Sequence, residues 1–170
     1  MLNISSDRAS PGGTRMSSTA SRGHEDRSDI FGPDGQSSMP LFAYGTLQAS
    51  EVMKTLIGRV PDHRPAELEG WTAARLPDRV YPGLVRRAGQ RISGQLVTGL
   101  TPAEWMLLDR FEDTDYVREL LQLTDGTKAW TYVWQRDTEA AVWDLDEFLR
   151  SDLPDYVVRC SAWLTRDRAR

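Results

Sequence analysis

A chain of 170 residues with a formal charge of -4 and a pI near 5.2 has room for one ordinary domain core, not two. Its basic residues are nearly all Arg, scattered among Asp and Glu without a basic stripe, which argues against a nucleic-acid partner. Cys160 is the single cysteine, so an internal disulfide is excluded and a reducing compartment is expected. His24 and His63 are far apart with no Cys/His cluster near them, so no metal is expected. No apolar run reaches transmembrane length and no secretory h-region opens the chain, so the expectation is a soluble, cytoplasmic protein without a membrane partner.

Residues 1–38 are rich in Ser, Gly, Arg, Asp and Pro, and their few large apolar residues show no period. Such a segment cannot bury enough surface to offset its ordering entropy, and it reads as a disordered extension. Met39 is compatible with being the natural start, and residues 39–170 are expected to form the folded domain. There Leu41 to Tyr44 make an apolar run between Pro40 and Gly45, the pattern of a short strand buried on both faces. Gly45 permits a tight bend with the left-handed region open to it. Ser50 reads as the N-cap of a helix carrying Val52, Met53, Leu56 and Ile57, and Gly58 is placed to end it. Strand, glycine turn and helix start gather backbone N–H groups into a nest suited to a carboxylate or a developing oxyanion.

After a loop over Arg59 to Arg64, Ala66 to Ala74 fits a strand, Tyr81 to Val85 a turn into an extended segment, and Ala88-Gly89-Gln90 a turn. Ile92 to Leu100 is the clearest strand, with Ile92, Gly94, Leu96, Thr98 and Leu100 on one face. Thr101-Pro102-Ala103-Glu104 is a capping box with Pro at the first helical position, and its helix runs to about Glu112-Asp113. Tyr116 to Leu123 and Lys128 to Gln135 form two strands joined across Asp125-Gly126, with Trp130, Tyr132 and Trp134 on one face of the second. From about residue 144 the chain is helical: Asp144 and Glu147 make a cap, and Pro154 interrupts the helix. Tyr156, Val157, Cys160, Trp163 and Leu164 share a face of the last helix, where Cys160 reads as core.

One carboxylate stands out. Projected at about 100° per residue, Glu112 falls beside Trp105 and Leu108 on the apolar side of its helix. Burial and the negative helix end would both raise its pKa, toward the range in which a Glu takes and returns a proton. A solvent-facing Glu112, or one paired with Arg118, fits the same spacing.

Phe42-Ala43-Tyr44-Gly45-Thr46-Leu47 resembles the Tyr-Gly-Thr/Ser-Leu signature of the gamma-glutamylcyclotransferase-like family, which includes gamma-glutamylamine cyclotransferases, butirosin-pathway cyclotransferases and the plant avirulence-induced proteins. Tyr81 to Val85, Gly94-Gln95-Leu96, Leu108 to Glu112 with Tyr116 and Arg118, and Ala129 to Trp134 follow the family's order and spacing. The resemblance implies an α+β fold, a small mixed α/β barrel with a helical C-terminal tail. It also implies a cofactor-independent enzyme in which the α-amino group of a small γ-glutamyl amine or amino acid attacks its own side-chain carbonyl. The products are 5-oxoproline and the free amine. On the family pattern Glu112 is the general acid and base, and Tyr44, Gly45, Thr46 and Leu47 bind the glutamyl group, largely through backbone. Tyr116 and Arg118 are further substrate contacts on this reading, with strand packing and a structural ion pair as the alternative.

The family often has Gly directly after the Glu, where this chain has Asp113. Asp tolerates φ > 0 better than most residues and would raise the pKa of Glu112 further. It would equally suit a member that has lost activity, and the competing reading is a non-catalytic module binding a small carboxylate or amine on the same fold. A monomer or homodimer is expected.

Overall fold

The computed structural model describes residues 39–112 and 114–169. The expected N-terminal extension and Asp113 therefore lie outside the described residues. The apolar run forms strand β1, Leu41–Ala43, whose residues are all buried at the centre of a five-stranded sheet. With β2 (His63–Arg75), β3 (Pro82–Val97), β4 (Tyr116–Gln122) and β5 (Lys128–Trp134), the strand order is β2-β3-β1-β5-β4. β1 pairs antiparallel with β3, Phe42 opposite Leu96, and parallel with β5, Leu41 opposite Trp130. A central strand has no solvated face, which is why it reads as continuous rather than alternating hydrophobicity. Gly94 permits the β1–β3 approach: a Cβ there would lie 2.5 Å from Ala43 O and 2.8 Å from the Phe42 ring.

β2 and β3 form a long antiparallel ladder, and here local turn signals mislead. Ala88-Gly89-Gln90 is not a turn but part of β3. The register shifts between Glu69, opposite Arg91, and Trp71, opposite Arg86, so residues 87–90 are accommodated as a bulge facing Gly70. Pairing over so many residues outweighs one local glycine signal. For the same reason Pro82 and Gly83 already belong to β3, and β2 starts at His63 inside the expected loop. The strand expected to reach Leu100 stops at Val97.

β4 and β5 make the expected hairpin, with Gly126 at φ 85° and Asp125 Oδ1 accepting from Thr127 N–H at 2.9 Å. The sheet curls until this turn meets β2. Thr124 N–H donates to Glu67 O at 3.0 Å, and Arg64 pairs with Asp125 at 2.8 Å. Both edge strands thus meet at one end, giving the barrel-like form.

Helix α1, Ser50–Ile57, is capped by Ala49 instead of Ser50. Ala49 closes the preceding 3-10 turn, Thr46–Gln48, and its carbonyl accepts the first N–H groups of α1, so the join of two helical turns sets the boundary. Helix α2, Pro102–Phe111, has the full capping box: Thr101 Oγ1 accepts from Glu104 N–H at 3.3 Å, and Glu104 Oε2 accepts from Thr101 N–H at 2.7 Å. Arg59 forks onto the same carboxylate at 2.6 and 2.7 Å. Thr101→Ala should cost about 1 kcal/mol, read as a fall of a few degrees in the thermal midpoint.

Helices α3, Leu145–Ser151, and α4, Leu153–Arg168, complete the chain. Pro154 does not interrupt a helix. The break falls at Asp152, and Pro154 sits in the first turn of α4, where its missing N–H has no intrahelical role. α4 lies against α1 and buries Tyr156, Cys160 and Leu164. Among the described residues no helix is long and apolar enough to cross a membrane.

Candidate active site

The C-terminal end of β1, the 3-10 turn, the end of α2 and one face of α4 enclose a cavity of about 450 Å³. Tyr44, Gly45, Thr46, Leu47, Glu112 and Tyr116 all line it. Arg118 does not. It lines an adjoining cavity of about 360 Å³, together with Asp109, Trp130 and Tyr132, and Glu112 and Tyr116 border both spaces.

The turn is fixed from three sides. Gln48 Nε2 donates to Tyr44 O at 2.7 Å, Gln48 N–H closes onto Gly45 O at 3.0 Å, and Thr46 Oγ1 donates to Tyr156 Oη on α4 at 3.3 Å. Thr46 and Leu47 are the first residues of the 3-10 turn, so their N–H groups have no partner within it. Gly45 makes the bend without entering the left-handed region open to it: its φ is -113°. Space is tight there instead, since a Cβ would lie 3.0 Å from Pro82 Cγ and 3.3 Å from its Cδ. Tyr44 buries its ring and uses its hydroxyl as a strut, donating to Tyr132 O at 2.9 Å and accepting from Leu84 N–H at 3.1 Å.

Glu112 is the C-cap of α2, its N–H bonded to Leu108 O at 3.0 Å. Its side chain is half-buried, open toward the two cavities it borders. Burial first, and the charge of Asp109 second, push its carboxyl up to about 8. It is not the ion-pair partner of Arg118. That guanidinium binds Asp109 Oδ2 at 3.0 Å and lies over the Trp105 and Trp130 rings at 4.8 and 5.2 Å. Asp109 also accepts from Tyr132 Oη at 2.8 Å, so Asp109 links Arg118 to Tyr132.

Tyr116 donates its hydroxyl to Pro82 O at 2.9 Å and packs edge-on against Trp134. It thereby supports the proline that crowds Gly45. Burial pushes the phenols of Tyr44, Tyr116, Tyr132 and Tyr156 well above the usual range, so they remain protonated around Glu112. Burial also holds the Cys160 thiol up to about 12, unfit for a nucleophile at neutral pH. His63 lies outside the cavity lining on β2, its Nδ1 2.9 Å from Pro61 O.

The sequence reading did not include the α4 wall in the site. Tyr156, Arg159, Cys160, Trp163 and Arg166 all line the cavity. A usable signal was present, since Arg159 and Arg166 project within roughly 20° of each other on one flank of the apolar stripe.

A family model described as gamma-glutamyl cyclotransferase, AIG2-like, matches residues 41–150. AIG2-like protein C of Arabidopsis thaliana is 35% identical over 142 residues, which is 79% of this chain and 83% of that protein. AIG2-like protein D of the same plant is 33% identical over 117 residues, 64% of this chain and 77% of its own length. A solution structure from Arabidopsis thaliana superposes with a TM-score of 0.56 at 25% identity, covering 76% of this chain and 84% of the other.

Proposed function

The chain belongs to the gamma-glutamyl cyclotransferase, AIG2-like family, and from that premise we propose that it converts a small γ-glutamyl amine or amino acid to 5-oxoproline and the free amine. The observation that carries this reading is the position of Glu112. A carboxyl with a pKa of about 8 borders the same cavity as the Tyr44–Leu47 turn.

The reaction sets definite demands. The α-nitrogen enters as an ammonium with three protons and ends as a lactam N–H with one. The amide nitrogen starts with one proton and leaves as an ammonium with three. Two protons therefore move from one nitrogen to the other, with no net exchange with water. A single carboxyl between the two nitrogens can carry both in turn, and a pKa near the operating pH favours both directions of transfer. The attacking nitrogen forms a bond to the δ-carbon, negative charge gathers on the carbonyl oxygen, and the C–N bond to the leaving amine breaks.

The turn backbone takes the glutamyl group in this reading, with Tyr44 Oη holding β1, β3 and β5 at the right separation. Tyr116, through Pro82, keeps the turn from opening. Binding the substrate folded back on itself turns a poor approach into a near-attack one, which supplies much of the acceleration.

The test is incubation of the full chain with a panel of γ-glutamyl amino acids and amines, with 5-oxoproline read by mass spectrometry. Formation of 5-oxoproline above the no-protein control is the expected result. Saturable binding with no product across the panel would replace this reading with that of a non-catalytic binding module.

A further inference from the structure

α4 brings to the cavity lining two arginines that the proposed chemistry does not use. Arg159 and Arg166 both line it, and both are exposed, whereas Tyr156 and Cys160 on the same helix are buried. The arginines therefore stand at the mouth and the buried residues form the wall. Seven residues apart, the two arginines are separated by about 10 Å along the helix, with Trp163 between them. Trp163 is held by an edge-on contact with Phe111 at 5.1 Å, which fixes the surface the arginines flank.

Their pairing state sets them apart. Arg110 also lines the cavity, but its guanidinium is committed to Asp167, with contacts of 2.9 to 3.3 Å. Among the described residues the guanidinium groups of Arg159 and Arg166 have no hydrogen bond or ion pair. In a protein of net negative charge, two unpaired arginines over the open end of a cavity make that end attractive to anions. Guanidinium forks match a carboxylate in both charge and shape.

We infer that Arg159 and Arg166 form a carboxylate-recognition subsite, and that the leaving group carries a free carboxylate: an amino acid or short peptide, not a polyamine or a lysine side chain. The assignment rests on the cyclotransferase reading, which places the glutamyl group at the Gly45 turn and directs the leaving group toward the mouth. A cationic amine at the mouth would face two like charges, and Glu112, the acidic residue of the same lining, is assigned to the reacting nitrogens.

The experiment compares L-γ-glutamyl-L-alanine with L-γ-glutamyl-L-alaninamide, which differ only in the carboxylate. Dissociation constants are measured by calorimetry in the Glu112→Gln protein, and turnover in the wild type. Each is repeated with Arg159→Gln and Arg166→Gln, exposed positions where substitution leaves the core intact. The acid should bind roughly 10- to 100-fold more tightly than the amide, a preference that shrinks in high salt and falls to a few-fold in the double variant. Equal binding of acid and amide, or a preference that survives both substitutions, overturns the subsite. The preference without 5-oxoproline from either ligand would leave the subsite standing and remove the cyclotransferase reading, so the two can fail separately.

Discussion

Glu112→Gln should lower kcat for 5-oxoproline formation by roughly a thousandfold while leaving substrate affinity within a few-fold of wild type. Gln keeps the shape and one acceptor oxygen but cannot carry a proton from the α-nitrogen to the leaving nitrogen. The pH profile supplies an independent check. With the Glu112 carboxyl at about 8 in the free protein, kcat/KM should rise about tenfold per pH unit below pH 8, bend near pH 8, and fall again once the substrate's α-ammonium loses its proton. Asp109→Asn should move that bend to lower pH, because the Asp109 charge contributes to the raised value. Turnover retained by Glu112→Gln would require another proton carrier. The nearest candidate, Asp109, is held by Tyr132 and Arg118, which makes it a poor substitute.

The main parts of this site could be read before any coordinates because their physics is local. Leu41 to Ala43 are buried on both faces, and a run of four apolar residues between Pro40 and Gly45 says so directly. The Thr101 capping box fixes where α2 starts, and ten residues of helix then project Glu112 beside Trp105 and Leu108, although a solvent-facing Glu112 fits the same spacing. What could not be read depends on distant partners. Gly45 is crowded by Pro82, which is far along the chain, and the sequence offers only its tolerance of unusual backbone as a clue. Arg118 is nine residues from Asp109 and six from Glu112, and only the curl of the sheet decides which carboxylate it meets. The α4 residues form a regular apolar stripe, and the same periodicity describes a core face and a cavity wall.

The site should also leave a mark on stability. A Glu has a carboxyl near 4.5 in the unfolded chain, and Glu112 is held at about 8 in the folded one. The folded protein therefore binds this proton more tightly than the unfolded protein does. The contribution of the protonated carboxyl is fully present below pH 4.5 and is lost as pH rises through about 8. Gln is neutral throughout, so Glu112→Gln should match the wild type near pH 4.5 and exceed it above pH 8. The difference follows from the shift and is on the order of a few kcal/mol once the partial exposure of Glu112 is allowed for. In thermal unfolding this corresponds to a gain of about 5–10 °C at pH 9 and almost none at pH 4.5. All other titrating groups are common to both proteins and largely cancel in the comparison. A gain of equal size at both pH values would mean that packing, not charge, separates the variants. No gain at pH 9 would mean that the folded protein accommodates ionised Glu112 without cost. The carboxyl proposed to carry the protons is thus also the one whose ionised form is expected to weaken the fold, the trade-off that follows where a carboxylate is held largely out of water.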